Sequence, residues 1–155
     1  NVAGACVGDG DFHHDDTVFI THDAVNCRSR QVFKKVLRNG ATGVFQGKIL
    51  VKAGAQKTDG YQISQALLLD GDSQFLAKPE LEIYADDVAC SHGSTSGAID
   101  EDALFYLRSR GVPEAEATNL LTLSFLAEAV EEIADEALRE DMTVRLAAWL
   151  MRHRG

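Results

Sequence analysis

Cys90 and His92 stand two residues apart in the stretch Val88-Ala89-Cys90-Ser91-His92-Gly93. If that stretch is extended, its period of two puts both side chains on one face. A thiolate and an imidazole together are donors for a soft transition metal such as iron. Two donors do not complete a coordination sphere, so a site built on them needs ligands from elsewhere. The plainer alternative is a buried small cysteine beside a hydrogen-bonded histidine. A second group, His13, His14, Asp15 and Asp16 with His22 and Asp23 close behind, has side chains suited to a divalent metal. Its plainer reading is a solvated turn in which aspartate serves as turn former. A third stretch, Gln56-Lys57-Thr58-Asp59-Gly60, ends like a phosphate loop but lacks the glycine-rich approach that supplies backbone amides. It reads as a turn.

The elements that must position these residues fall into two regions. Residues 1–97 hold most of the glycine, and short β-prone runs recur at 17–20, 31–37, 44–51, 61–69 and 75–84. The dipeptides Asn39-Gly40, Asp59-Gly60 and Asp70-Gly71 mark turns between them, which is an all-β pattern. The triplet Ile49-Leu50-Val51 has counterparts in Leu67-Leu68-Leu69 and then Leu81-Glu82-Ile83. Such spacing suits the stacked coils of a solenoid. Similar run lengths also suit a sandwich, and the pattern leaves both open.

Residues 98–155 read as helical. Asp100 is a good N-cap with Glu101 and Asp102 in the first turn, and Leu104, Phe105 and Leu107 give a stripe. Arg108 and Arg110 fall in the last turn, with Gly111 at the left-handed stop and Pro113 at the first position of the next helix. Leu120, Leu123, Ala127, Val130 and Ile133 share a second stripe; Leu138, Met142, Leu146, Trp149 and Leu150 share a third. A break is expected within 135–141. Glu128, Glu131, Glu132, Asp135 and Glu136 read as a solvated face. Tyr106, Arg108 and Arg110 lie between the regions, placed either to tie the helices to the last coil or to face a partner.

Composition narrows the function. The net charge of −9 argues against a general nucleic-acid binder. There is no apolar run of membrane-spanning length. Three scattered cysteines, Cys6, Cys27 and Cys90, form no CxxC pair and suit a reducing cytoplasm, with Cys6 and Cys27 read as small buried hydrophobes. The chain begins at Asn1 rather than methionine, and a fragment is expected.

Two stretches carry a resemblance. The first is Phe45-Gln46-Gly47-Lys48-Ile49, continuing through Ala55-Gln56-Lys57-Thr58-Asp59-Gly60-Tyr61-Gln62. The second is Pro79-Glu80-Leu81-Glu82-Ile83-Tyr84-Ala85-Asp86-Asp87-Val88, then Cys90-Ser91-His92-Gly93-Ser94-Thr95, then Leu104-Phe105-Tyr106-Leu107-Arg108-Ser109-Arg110-Gly111. Together they resemble the SufB/SufD family of iron–sulfur cluster assembly proteins. Within it the Cys-Ser-His-Gly stretch is similar to the SufD branch. The SufB branch usually carries Glu-His-Glu here, which puts His92 at the shared histidine and Gly93 where the glutamate would stand.

The resemblance implies a mainly β fold, a right-handed parallel β-helix followed by a small C-terminal helical domain. Residues 1–97 would be the C-terminal part of the β-helix core and 98–155 the helical domain. It implies a scaffold that is not an enzyme, paired with SufB near Asp87, Cys90 and His92. The SufC ATPase would dock on the helices near Tyr106, Arg108 and Arg110. Cys90 and His92, with ligands from SufB, would hold a transient iron or iron–sulfur cluster, with no tightly bound cofactor in the isolated fragment. That fragment is expected to homodimerise through 86–93. A β-helix acting on carbohydrate, or a purely structural interaction module, are the competing readings.

Overall fold

Seven strands and then three helices follow one another in the computed structural model, which describes residues 1–153. The strands are β1 (Val2–Asp9), β2 (His13–His22), β3 (Arg28–Arg38), β4 (Thr42–Val51), β5 (Thr58–Leu68), β6 (Gln74–Ile83) and β7 (Val88–Gly97). The helices are α1 (Glu101–Ser109), α2 (Glu114–Val130) and α3 (Glu136–Arg152). Odd strands form one sheet, in the order β1-β3-β5-β7, and even strands form a second, β2-β4-β6. All pairings within them are parallel. Val2 pairs with Gln31, Arg28 with Asp59 and Thr58 with Val88, so successive coils are 29, 31 and 30 residues long. The chain is a parallel β-solenoid of about three turns followed by C-terminal helices. A sandwich built from antiparallel hairpins is ruled out by the parallel pairing.

The expected runs lie in β2 to β6. The partner of Ile49-Leu50-Val51 is Leu81-Glu82-Ile83, in the next strand of the same sheet. Leu67 and Leu68 stand in the other sheet, half a coil on, paired with Val36 and Leu37. The uneven spacing of the triplets is therefore two halves of one coil. Asn39 (φ 54°) and Gly40 (φ 83°) make the turn between β3 and β4. At Asp70-Gly71 the Asp70 carboxylate accepts from the amides of Asp72 and Ser73. Asp59-Gly60 is not a turn. Both residues belong to β5, and the chain reverses earlier, with Lys57 at φ 60°. Gly60 faces inward, where an added Cβ would stand 3.3 Å from Cys90 Sγ and 3.7 Å from Ile49.

Inside the solenoid, Phe45, Ile49 and Val51 are fully buried, and the Phe33 and Phe45 rings lie 4.9 Å apart. Gly47 is required by this packing, since a Cβ there would come within 2.6 Å of the Phe45 ring and also strike Gln62. A polar thread runs beside the rings. Gln62 Nε2 donates to Gln31 Oε1 (2.6 Å), Gln31 Nε2 donates to Ser29 Oγ (3.1 Å), and Ser29 shares a hydrogen bond with His22 Nε2 (2.8 Å). Burial holds the His22 imidazole below its ordinary value of 6.5. The folded state therefore binds this proton less readily than the unfolded chain. The His22 contribution to stability is complete above about pH 6.5 and is lost as pH falls through the depressed folded value. Unfolding free energy measured between about pH 7.5 and 5 should decline in the native chain. A His22→Gln variant should lack that component of the slope; an unchanged slope would remove this account.

The outer face of the first sheet is covered by helix α2, which explains why β3 is buried on both faces from Gln31 to Leu37. Leu126 is fully buried in one cluster with Val36 and Leu67, and Ala5, Val7, Phe125 and Leu146 pack around it. Lys34 lies beneath the helix, 2% exposed, paired with Glu128 and 4.5 Å from the centroid of the Phe125 ring. Arg30 pairs with Glu132 at 2.6 Å. Glu128 and Glu132 thus do not form a purely solvated face; the outward cations of β3 draw them onto the sheet.

The buried face of α2 is Ala117, Thr122, Leu126, Ala129 and Val130. Of the expected stripe only Val130 belongs to it, and Leu120 is exposed, because α2 is apolar nearly all round and no single face stands out in its sequence. The Asp100 carboxylate caps α1 as expected, accepting from the amides of Asp102 and Ala103. Pro113 precedes α2 rather than starting it. The break between α2 and α3 falls at 131–135, where Asp135 caps α3, so the acidic segment 136–141 is already helical. Helix α1 buries none of its residues, and Phe105 is 74% exposed.

Candidate functional site

Strand β7 ends the first sheet and pairs only with β5, while the second sheet stops at β6. The last half-coil is therefore one-sided. One edge of β7 has no strand partner among the described residues, and from His92 onward its inner face is exposed. On β5 the inward positions are Thr58, Gly60, Gln62, Ser64 and Ala66, and their register partners on β7 are Val88, Cys90, His92, Ser94 and Ser96. Cys90 and His92 therefore share the inner face, as the alternation predicts.

Their environments differ. Cys90 is half-buried and packs on the cluster of Ile49, Val51, Ala55 and Ala85. Burial pushes its thiol up, the Gly60 backbone pulls it down, and Asp59 pushes it up again, leaving it raised. His92 is exposed at the end of the column Gln31, Gln62, His92. Asp87 is exposed at the corner before β7, where its amide donates to Gln56 Oε1 at 2.9 Å. The fold brings Asp87, Cys90 and His92 to the same terminal coil. Among the described residues no group of three or more His, Cys, Asp or Glu side chains is arranged to hold a metal. Cys90 and His92 are therefore at most part of a ligand set.

His13, His14, Asp15 and Asp16 lie on strand β2, not in a turn, so alternation splits them between two faces. His14 and Asp16 point inward, where Lys35 Nζ stands 2.9 Å from His14 Nδ1 and 2.6 Å from Asp16. A lysine ammonium occupies the place a metal would take. Asp15 accepts from Gln46 on the outer face, and Asp23 pairs with Lys52. Cys6 faces inward one strand from Lys35, its thiol raised by burial, lowered by Lys35 and raised by Asp16. The sequence signal for this inner group is the pair Lys34-Lys35 inside an apolar run: adjacent lysines on a strand must point opposite ways, one to the lumen and one to the helix.

Residues Gln56 to Gly60 build a corner and the start of β5, with Thr58 Oγ1 donating to the Ala55 carbonyl at 2.8 Å. Arg110 lies over the Tyr106 ring at 4.8 Å, and Arg108 pairs with Glu114 at 3.2 Å. These contacts join α1 to its own end and to α2, and leave Tyr106 exposed.

Residues 1–125 match the family model described as SUF system FeS cluster assembly, SufBD core domain. The chain belongs to the SufBD family. This SufBD chain is 40% identical over 132 residues to the iron–sulfur cluster assembly protein SufD of Escherichia coli (strain K12), covering 85% of the chain and 31% of that protein. It is 32% identical over 136 residues to the SufD protein of Bacillus subtilis (strain 168), covering 88% and 31%. It is 36% identical over 113 residues to the chloroplastic protein ABCI7 of Arabidopsis thaliana, covering 72% and 24%. The SufBD chain thus spans about a third of the length of these relatives or less. The family match runs on through most of α2, the helix whose Leu126 packs against the sheet. No helix among the described residues is long and apolar enough to cross a membrane.

Proposed function

We propose that this chain is the C-terminal part of a non-enzymatic, cytoplasmic SufD-type scaffold subunit that assembles iron–sulfur clusters with SufB and the SufC ATPase. The observation that carries the reading is the unfinished end of the solenoid. An unpaired edge strand there displays Cys90 and His92 on one face with Asp87 at its corner. A partner strand from SufB placed along β7 would satisfy its backbone and supply the ligands that the pair lacks. The cluster is cargo, held transiently between the subunits. Without SufB the same edge would pair with a second copy of the chain, giving a homodimer. The exposed residues of α1, Phe105 and Tyr106 with Arg108 and Arg110 beside them, are the side offered to SufC.

His92→Ala in the complex with SufB and SufC is the test. Iron and acid-labile sulfide per purified complex should fall by about half or more, while subunit stoichiometry stays unchanged, because an exposed side chain contributes little to folding. Cys90→Ala should disturb stability more, since that side chain packs on the core. Normal iron and sulfide in a fully assembled His92→Ala complex would remove the metal role. That result would leave a purely structural interaction module.

A further inference from the structure

A second polar column runs across the opposite, outer face of the same sheet, and it ends on β7. Lys34 on β3, Gln65 on β5 and Thr95 on β7 are successive register partners. They are joined side chain to side chain. The Glu128 carboxylate of α2 accepts from Lys34 Nζ, Lys34 Nζ also donates to Gln65 Oε1, and Gln65 Nε2 donates to Thr95 Oγ1 at 3.1 Å. The donor-only ammonium sets the direction of the ladder. The ammonium, 2% exposed, has only donors, so it needs both acceptors that the helix and β5 present. Binding Lys34 through its oxygen fixes the Gln65 amide, which turns its nitrogen toward Thr95. A buried cation two strands from the edge therefore orients a side chain on the adjacent strand β5, and that side chain holds the edge strand three residues from His92.

We infer that Lys34 and Gln65 are positioning residues that couple the docking of helix α2 to the order of edge strand β7. When Glu128 leaves, the Lys34 ammonium loses the charged partner that holds it over β5 and turns to water, the Gln65 amide is no longer fixed, and the outer-face bond to Thr95 is lost. The coupling is a property of the chain itself. Its use, in passing a change from the helices to the Cys90 and His92 edge, rests on the function proposed above.

The neighbouring column supplies an internal control. Glu132, two residues past the end of α2, also ties this part of the chain to β3, through Arg30 at 2.6 Å, and Arg30 lies 4.6 Å over the Tyr61 ring of β5. No side-chain bond among those described continues that column to β7. Removing Glu128 loosens α2 and removing Glu132 loosens the turn at its C-terminal end, both on strand β3, and only Glu128 heads a ladder to the edge.

Hydrogen–deuterium exchange of the whole chain, read on peptides covering β7 and β6, separates the cases. Glu128→Gln should speed exchange across the Thr95 end of β7 by about three- to tenfold, the effect of losing one hydrogen bond of ordinary strength. Glu132→Gln should leave β7 within about twofold of the native chain, and β6 should be unchanged in both. Gln65→Leu, which removes both the acceptor for Lys34 and the donor to Thr95, should reproduce the β7 effect with α2 still docked. Equal effects of Glu128→Gln and Glu132→Gln on β7 would mean that helix docking acts without the ladder, and would overturn the inference. So would a β7 unaffected by Gln65→Leu. Neither result bears on iron content or partner capture, so failure here is distinguishable from failure of the scaffold reading.

Discussion

Leu126→Ala should destabilise the whole chain by about 2–5 kcal/mol, the range for truncating a buried leucine in a core that cannot collapse around the gap. Leu126 is fully buried although it belongs to a helix, because its neighbours Val36 and Leu67 come from the outer face of the solenoid. The helix and the sheet are one packed unit at this point. The loss should appear as a single shifted urea transition, by circular dichroism for the helices and, in a Tyr106→Phe, Trp149→Phe background that leaves Tyr61 and Tyr84, by tyrosine fluorescence for the solenoid alike. Leu120→Ala, on an exposed position of the same helix, should stay within about 0.5 kcal/mol of the native chain. A Leu126→Ala loss below about 1 kcal/mol, or two separate transitions, would mean that the helix is not docked as described. The same packing decides how partner contacts should be mapped. Deleting 99–155 would strip Leu126 from the sheet and expose Val36, so a lost partner could reflect an unfolded solenoid. Substitutions at exposed Phe105 or Tyr106 avoid that ambiguity.

Strands β2 to β6 were legible in the sequence; β1, a short run of small residues and glycines, and β7 were not. The five runs in β2 to β6 stand out because alternation or continuous burial writes their pattern. Strand β7 reads Val-Ala-Cys-Ser-His-Gly-Ser-Thr-Ser-Gly, with nothing apolar after its third residue. Its inner face opens onto the unfinished end of the solenoid, so no hydrophobic selection acts there, and only the spacing of Cys90 and His92 marks it. The coil length was hidden for a different reason. Two half-coils of unequal length lie between equivalent positions, and a triplet search finds the halves before the whole. The column Gln31 to His92 inside the first sheet and the ladder Lys34 to Thr95 outside it depend on a register set by corners of 29 to 31 residues per coil. No local pattern carries that register. Local rules did hold at Asp100, Asn39-Gly40 and Gly111 (φ 89°), where one residue's own chemistry decides the conformation.

The inner lysine gives the second large effect. Lys35 is 1% exposed in the lumen, and its acceptors are the Asp16 carboxylate and His14 Nδ1. Asp16 is the more exposed partner, with about a quarter of its side chain open to solvent. The two halves of the pair are therefore not equivalent. Asp16→Asn leaves an ammonium in the core with no counter-charge and should cost about 3 kcal/mol. Lys35→Met leaves a carboxylate that water can reach, and puts a thioether where the lysine stem packed, so it should cost only about 1 kcal/mol. The double variant, Lys35→Met with Asp16→Leu, should recover most of the Asp16→Asn loss, because removing both charges removes the penalty of burying either. Denaturant midpoints of the three variants give the order directly. An equal cost for the two single variants would contradict the burial asymmetry. The same argument fixes what a divalent metal can do here. To bind His14 and Asp16 it must displace the ammonium that already bonds both, so micromolar zinc or iron(II) should not raise the midpoint of the native chain. In the Lys35→Met variant that cation is gone and the imidazole and carboxylate are free to accept another. A metal-dependent rise there, absent in the native chain, is the outcome expected if the lysine is what keeps this inner group from being a metal site.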